Sequence, residues 1–374
     1  MNKKALVAGH ICLDITPAFH EQNTTRLSDI LSPGKLINVG NADIHTGGAV
    51  ANTGLAMKIL GADVHLVSRI GNDEFGNIIS SIVGKYDVSM SLNKCESDTT
   101  SYSVVLAVPG NDRIFLHNPG ANDTFCFEDI PMGEVKGASL FHFGYPSLMK
   151  KMYEDSGREL VKIFKTVKET GCATSLDLAA VDPNTDAGRA DWTDILSKVL
   201  PYTDIFVPSI EEIMFMLDRD KFRRLNDLDP NTDFTEKINI QEDVIPIAEK
   251  CHRMGAKIIL LKCGSPGMYY STSDIDRMRE VGKNLDLDLS AWSERSGFMR
   301  SYKPERIRSG TGAGDTSIAA FLTAILRGCD PETSVRYAAC TGACCVSEFD
   351  ALSGLKSFKK IDEMLLNGWE QTNE

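Results

Sequence analysis

Residues 309–328 read SGTGAGDTSIAAFLTAILRG, a glycine-rich loop that leads directly into an apolar periodic stretch. Apolar side chains at positions 318, 321, 322, 325 and 326 follow helical spacing, which predicts a helix over Asp315–Arg327. The alternate glycines allow a tight turn, and they leave N–H groups free at the positive end of the helix dipole. This stretch therefore predicts an anion-binding loop, with Asp315 either as a helix cap or as a general base.

A second glycine-containing stretch opens another predicted helix, which ends at Leu60. Gly47 and Gly48 again expose N–H donors, and the amide of Asn52 lies on the same helix face. Asp14 ends the first predicted strand, at the edge where an open α/β sheet binds its ligands. This combination of groups suits a polyol, whereas close helix packing by the glycines and a turn at Asp14 are the structural alternatives.

Short apolar runs alternate with helical patterns along the chain. The predicted strands are Ala5–Cys12, Val64–Ile70, Ser139–Phe143, Ala173–Leu178, Ile205–Val207 and Lys257–Leu261. The alternation predicts an α/β fold with a doubly wound, mainly parallel sheet that has helices on both faces.

Two segments, 15–46 and 97–120, interrupt this alternation. The second contains a predicted antiparallel hairpin, in which Tyr102–Val108 and Arg113–His117 flank a proline–glycine turn. We expect the two segments to form one small, discontinuous β lid. The α/β core then comprises residues 1–14, 47–96 and 121–374.

The composition narrows the class of function. The chain has 40 Lys and Arg against 52 Asp and Glu, and this net charge of −12 disfavours nucleic acid and anionic membranes as partners. Ten cysteines without CxxC spacing predict buried free thiols in a reducing cytoplasm, and no apolar run is long enough to predict a membrane span. The polar insertions 218–241 and 271–307 are interpreted as solvated surface loops.

Together with segments 41–76, 110–122 and 260–270, these residues resemble the ribokinase-like carbohydrate kinases, the PfkB family. The motifs occur in the family's order along nearly the whole chain. The resemblance implies ATP-dependent phosphorylation of a sugar hydroxyl on a ribokinase-like core with a small lid, through which a homodimer could form. A nucleoside kinase of the same fold and a non-catalytic sugar- or nucleotide-binding regulator are the alternatives.

The resemblance also implies roles for individual residues. Asp315 would be the catalytic general base. The anion hole for the transferring phosphoryl group would be formed by Gly312, Ala313 and Gly314. The sugar would be held by Asp14, Gly47, Gly48 and Asn52. The ATP would be contacted by Lys262, Gly264 and Thr311, and Glu212 would organise Mg²⁺ through water.

Three departures from the family's pattern are visible. Ser209 replaces the asparagine of the Asn-x-x-Glu element that ends at Glu212. Ser309 and Gly310 replace an Asp-Thr pair, which places a nearby monovalent-cation site in question. Lys262 replaces a small hydroxyl residue, where it either contacts ATP phosphate or extends to solvent.

The sequence leaves the identity of the phosphate acceptor open. A nucleoside would need aromatic side chains around its base, for which the candidates are Phe19, Tyr102 and Phe115. A sugar phosphate would need cationic side chains in the lid, for which the candidates are Arg26, Lys35 and Arg113.

Overall fold

The computed structural model describes residues 3–20, 31, 33–108, 114–229 and 232–372. Within these ranges the strands are β1 (Lys4–Gly9), β2 (Cys12–Pro17), β3 (Ala42–Gly47), β4 (Asp63–Gly71), β5 (Ser89–Cys95), β6 (Tyr102–Leu106), β7 (Ile114–Asn118), β8 (Leu140–Gly144), β9 (Ala173–Leu176), β10 (Ile205–Phe206), β11 (Ile258–Lys262), β12 (Gly267–Thr272) and β13 (Ser296–Arg300).

These strands form two sheets. The larger has the order β13-β12-β11-β10-β9-β8-β1-β4-β5, and it is parallel from β11 to β5, with β12 and β13 added antiparallel at one edge. The smaller has the order β3-β2-β6-β7, in which only β2 and β6 run parallel. The predicted mainly parallel sheet with a separate small sheet is therefore confirmed.

The α-helices in the described ranges are α1 (Ala49–Ile59), α2 (Glu74–Gly84), α3 (Met132–Lys136), α4 (Lys150–Tyr153), α5 (Arg158–Glu169), α6 (Asp186–Arg189), α7 (Trp192–Val199), α8 (Ile210–Leu217), α9 (Arg219–Leu228), α10 (Ile245–Met254), α11 (Ile275–Met278), α12 (Leu289–Trp292), α13 (Ala313–Leu326), α14 (Pro331–Cys345) and α15 (Phe358–Leu366). Short 3₁₀ or π turns lie at Gly120–Thr124, Phe127–Asp129, Pro146–Leu148, Glu154–Gly157, Leu200–Tyr202, Phe234–Glu236, Ile240–Val244 and Lys283–Leu285.

Helices cover both faces of the large sheet, as the alternating side chains of β1 show. Ala5 and Val7 pack into a core that includes α1, α13 and α14, whereas Leu6 and Ala8 pack into a second core with α5, α7, α8 and α10. Every residue of α13 from Asp315 to Leu326 is buried, so this helix is a central element and not an amphipathic surface helix.

The structure corrects several boundaries. Helix α13 begins at Ala313, two residues before the predicted start. The predicted strand Ala5–Cys12 ends at Gly9, so Asp14 lies in the small sheet, on β2, and does not end the first strand of the core. The chain turns between the sheets because Gly9 has a φ of 123° and lies against Gly144, where a side chain would clash with backbone.

The insertion at 271–307 is not simply a solvated loop, so that interpretation was wrong. Its residues Ser296–Arg300 form β13 and complete the edge of the large sheet, and Trp292 is buried against Phe321 of α13. In the other insertion, α9 forms a helix without buried residues.

Strands β6 and β7 pair antiparallel, which confirms the predicted hairpin, although its turn at 109–113 lies outside the described residues. The small sheet starts at Cys12, three residues before the expected lid boundary. The division into core and lid, and a homodimer formed through the lid, stay predictions. Among the described residues, no helix combines the length and apolar character that a membrane crossing requires.

Candidate active site

Asp315 lies in the first turn of α13 with its carboxylate buried inside the fold. The side-chain amide of Asn52, on α1, donates to Oδ2 at 2.9 Å. The hydroxyl of Tyr145, directly after β8, shares its one proton between Oδ1, at 2.8 Å, and Oδ2, at 2.9 Å. Three separate elements therefore hold one carboxylate in a fixed orientation.

The surroundings of Asp315 raise the pKa of its carboxyl group. Burial raises the pKa of its carboxyl group, while the Asn52 hydrogen bond, the charge of Lys262 and the Tyr145 hydrogen bond oppose that rise. A desolvated carboxylate with a raised pKa is a stronger base than an exposed one, so the residue is suited to accept a proton from an alcohol.

The loop before α13 has the glycine-dependent conformation that the sequence predicts. Gly312 has a φ of 74°, and a Cβ at this position would lie 2.3 Å from the Cβ of Ala351. The N–H of Ala313 donates to the carbonyl of Gly310 at 3.3 Å, whereas the N–H groups of Gly312, Gly314 and Asp315 have no acceptor among the described residues. Two of the three assigned donors, those of Gly312 and Gly314, are therefore free, and the anion hole itself stays a prediction.

A buried ion pair lies beside this loop. The ammonium group of Lys262, at the end of β11, is 2.8 Å from Oδ1 of Asp177, and the Lys262 side chain passes 3.5–3.7 Å from where a Cβ of Gly314 would be. Lys262 therefore does not extend to solvent. Although burial opposes it, the nearby carboxylates of Asp177 and Glu212 raise the pKa of Lys262, so the ammonium stays charged.

Asp177 was missed by the sequence reasoning. Its second carboxylate oxygen, Oδ2, is buried without a hydrogen-bond partner among the described residues, and burial raises the pKa of the group to about 8 against the attraction of Lys262. Asp177 and Tyr145 each follow the carboxyl end of a core strand, β9 and β8, where ligand sites of open α/β sheets lie. That position was the available signal for both.

Glu212 forms hydrogen bonds at the start of its own helix. The Ser209 N–H donates to Oε2 of Glu212 at 2.8 Å, and the Ser209 hydroxyl accepts from the Glu212 N–H at 3.2 Å, which forms a capping box at the start of α8. The serine that departs from the family's pattern thus acts as a helix cap. Within the described ranges, no cluster of three or more His, Cys, Asp or Glu side chains forms a metal site.

Gly47 lies close to Asp14, and Gly48 lies close to His10. A Cβ on Gly47 would lie 2.1 Å from Oδ2 of Asp14, and a Cβ on Gly48 would lie 2.5 Å from Nδ1 of His10. Burial raises the pKa of Asp14, against hydrogen bonds from Cys12 and Ser103. The absence of side chains at 47 and 48 is therefore what allows Asp14 and His10 to occupy these places.

A cavity of about 810 Å³ extends from Asp14 and Asn52 between the small sheet and the core. Thr311, assigned to ATP, lines this same cavity. Gly264 has a φ of 65° and lies against the side chain of Thr235, where a Cβ would be 2.4 Å from Oγ1. The structure therefore places Gly264 next to a neighbouring loop, and Thr311 on the side of the candidate sugar residues.

Some of the residues considered for recognition of a nucleoside or a sugar phosphate line the cavity, and others do not. Phe19 and Phe115 line the cavity, whereas Tyr102 packs edge-on against Phe75 at 5.4 Å and does not. Lys35 is not among the lining residues. The other two candidate cations lie outside the described residues: Arg26 and Arg113.

The segment that departs from the family's Asp-Thr pair is held by a neighbouring loop. The Arg308 N–H donates to the carbonyl of Val346 at 2.8 Å, and the Arg308 guanidinium pairs with Glu348 at 3.1 Å. Ser309 and Gly310 follow directly and line the cavity. The doubtful monovalent-cation site near Ser309 and Gly310 stays a prediction.

The sequence matches a protein family and resembles curated proteins. The model of the pfkB family carbohydrate kinases matches residues 7–357. An uncharacterized sugar kinase of Archaeoglobus fulgidus is 24% identical over 303 residues, which are 80% of this chain and 98% of that protein. Fructokinase-1 of Zea mays is 23% identical over 334 residues, 85% of this chain and 88% of that protein.

Solved structures show the same fold at low sequence identity. The structure of Arabidopsis thaliana ribokinase complexed with ribose and ATP has a TM-score of 0.71 at 20% identity, and covers 98% of this chain and 99% of that one. A ribokinase II structure from E. coli in complex with ATP and Mg²⁺ has a TM-score of 0.70 at 20% identity, with the same coverage. Because the family model spans nearly the whole chain and the fold agrees, the chain belongs to the pfkB family of carbohydrate kinases.

Proposed function

We propose that this carbohydrate kinase transfers the terminal phosphoryl group of ATP to a hydroxyl of a neutral sugar, with Asp315 as the general base. The observation that carries the proposal is the buried carboxylate of Asp315, which is oriented by Asn52 and Tyr145 at the start of a glycine-led helix. A base within reach of both an anion-binding helix start and a polyol cavity is what transfer to an alcohol requires.

The described residues fit a bound triphosphate. The free N–H groups of Gly312, Gly314 and Asp315 provide donors at the positive end of α13, and the charged Lys262 lies beside Gly314. Both kinds of group stabilise negative charge on phosphate oxygens without needing to move. The net charge of the chain is −12, so its overall electrostatic field repels ATP, and these local donors supply the attraction.

The carboxylates near this loop also fit a hydrated magnesium ion. Asp177 has an unpartnered buried oxygen, while Glu212 has one oxygen in its helix cap. Asp177 and Glu212 would hold water ligands of the ion, which would add positive charge at the phosphate oxygens. The assignment of Glu212 to this indirect role, now with Asp177 beside it, is part of the proposal.

The acceptor site is proposed to hold the sugar hydroxyls through Asp14 and Asn52, with the small sheet as a lid that excludes water. A nucleoside is the second candidate acceptor, because Phe19 and Phe115 line the same cavity. Planar aromatic side chains beside a polyol site suit a base attached to a ribose.

The test is a screen for ADP release with Mg²⁺ATP over pentoses, hexoses, sugar acids, sugar phosphates and nucleosides. We expect turnover with a neutral sugar or a nucleoside, and loss of about 10²–10⁴-fold in kcat for Asp315→Asn. Asp330→Asn is the matched control, because Asp330 only caps α14 and asparagine caps equally well. Near-normal turnover of Asp315→Asn would refute the base role, and no turnover with any acceptor would favour a non-catalytic regulator.

A further inference from the structure

Tyr145 has an unusual backbone conformation next to the candidate base. It follows β8 with a φ of 67°, in the left-handed region that residues with a side chain rarely adopt. Such conformations carry a cost and persist where the surrounding structure imposes them, often at functional sites. The result of this conformation is that the Tyr145 hydroxyl reaches both oxygens of Asp315.

The hydrogen-bond donors around Asp315 are distributed unequally between its two carboxylate oxygens. Oδ2 accepts from Asn52 at 2.9 Å, and it shares the single proton of the Tyr145 hydroxyl, 2.9 Å away, with Oδ1. Oδ1 accepts from Tyr145 at 2.8 Å, and its other contact, with the hydroxyl of Thr53, is long at 3.5 Å. Since each carboxylate oxygen has room for about two donors, Oδ1 keeps the better place for one more.

We propose that Tyr145 is a positioning residue that fixes the carboxylate of Asp315 so that Oδ1 receives the proton of the acceptor hydroxyl. The inference rests on the proposed function, in which Asp315 is the base. The Tyr145 hydroxyl stays protonated throughout, since burial and the neighbouring Asp315 raise its pKa well above the usual value.

Several charged or titratable groups face Asp315 from the surrounding elements. They are Lys262 at the end of β11, Asp177 after β9, Glu212 of α8 and Cys345 of α14, with His10 next to the Tyr145 ring. Burial lowers the pKa of His10 to about 3, so its ring is neutral. The hydrogen bonds of the Tyr145 hydroxyl to described residues go to Asp315, so its loss acts on Asp315 directly.

The test is Tyr145→Phe, with the pH dependence of kcat/KM as the readout. A donor to the ionised form lowers the pKa of a carboxyl group, so its removal should move the acid limb of the profile to higher pH by about one to two units. The alkaline plateau of kcat should also fall, while KM for ATP stays the same. Tyr337→Phe is the matched control, because it removes a tyrosine–aspartate hydrogen bond of 2.8 Å at Asp362, outside the site.

The outcomes separate the two proposals. An unshifted acid limb in Tyr145→Phe, in an enzyme that Asp315→Asn inactivates, refutes the positioning role alone. An equal loss of kcat at every pH together with a lower Tm shows a purely structural role and also refutes it. A rise in kcat/KM at all pH values shows that the phenol obstructs the acceptor, which overturns the inference. If Asp315→Asn keeps its turnover, the proposed function itself fails.

Discussion

A methyl group at position 47 would occupy the place of the Asp14 carboxylate. The Cβ of Gly47→Ala would lie 2.1 Å from Oδ2, 2.7 Å from Cγ and 2.9 Å from Oδ1 of Asp14. Since non-bonded atoms prefer separations of about 3.5–4.0 Å, the carboxylate must move by roughly 1 Å or more. We therefore expect Gly47→Ala to withdraw Asp14 from the acceptor while the fold is retained.

The size of the effect follows from the contact that is lost. A hydrogen bond to a charged group contributes about 1.5–3 kcal/mol, and each 1.36 kcal/mol is a factor of ten in rate, so kcat/KM for the acceptor should fall by roughly 10- to 150-fold. If Asp14 binds the acceptor equally in the ground and transition states, the loss appears mainly in KM. The KM for ATP should not change.

Steady-state ADP release, with the acceptor found in the screen, measures this effect. Gly84→Ala is the matched control, because a Cβ there meets no atom within 4 Å. The decisive measurement is the double variant: once Asp14→Ala has removed the carboxylate, Gly47→Ala should cost almost nothing more. Additive losses in the double variant, or a single variant within twofold of wild type, would refute the steric argument.

Two further variants test the loop and the ion pair beside it. Gly312→Ala should lower the free energy of unfolding by about 1–3 kcal/mol, because its φ is 74° and its Cβ would be 2.3 Å from Ala351. Urea denaturation measures this loss. Gly310→Ala, whose Cβ meets nothing within 4 Å, should show no such loss. Lys262→Met should destabilise the fold most at alkaline pH, by about 3–5 kcal/mol, because there it leaves Asp177 buried, ionised and unpaired. The folded-state pKa of Asp177, about 8, lies above its unfolded value of about 3.9, so stability is lost as pH rises through this range, and without Lys262, whose charge lowers that pKa, the loss continues to higher pH. A Tm difference between Lys262→Met and wild type that is equal at pH 5 and pH 9 would contradict this.

The local features of the site were predictable because they depend on short-range chemistry. The glycine turn before α13 was located to within two residues, since only glycine permits the φ of 74° at Gly312. Close helix packing by Gly47 was only the structural alternative, and its close contact is with Asp14. In contrast, the sequence reasoning placed Asp14 at the end of the first core strand, because nothing local marks the change of sheet between Gly9 and Cys12.

The residues that were missed share one property. Tyr145 and Asp177 carry no motif of their own: Tyr145 follows the predicted strand Ser139–Phe143, and Asp177 lies inside the predicted strand Ala173–Leu178, which ends at Leu176 in the structure. Their importance comes from the strand order, which brings the ends of β8, β9 and β11 to the same edge of the sheet. The edge strand β13 was missed for a related reason, since its apolar pattern is weak and its pairing with β12 determines its conformation.

The sequence by itself determined the fold class, the family and the two glycine-containing helix starts, because backbone freedom and helical periodicity act over a few residues. Only the tertiary structure decided which groups meet at the carboxylate of Asp315. Its bonds to Asn52 and Tyr145 span 263 and 170 residues of chain. Contacts at that separation depend on how crossover connections order a parallel sheet and on how α13 packs between α1 and α14. No local pattern encodes them, because the partners are neighbours only after the two cores have formed.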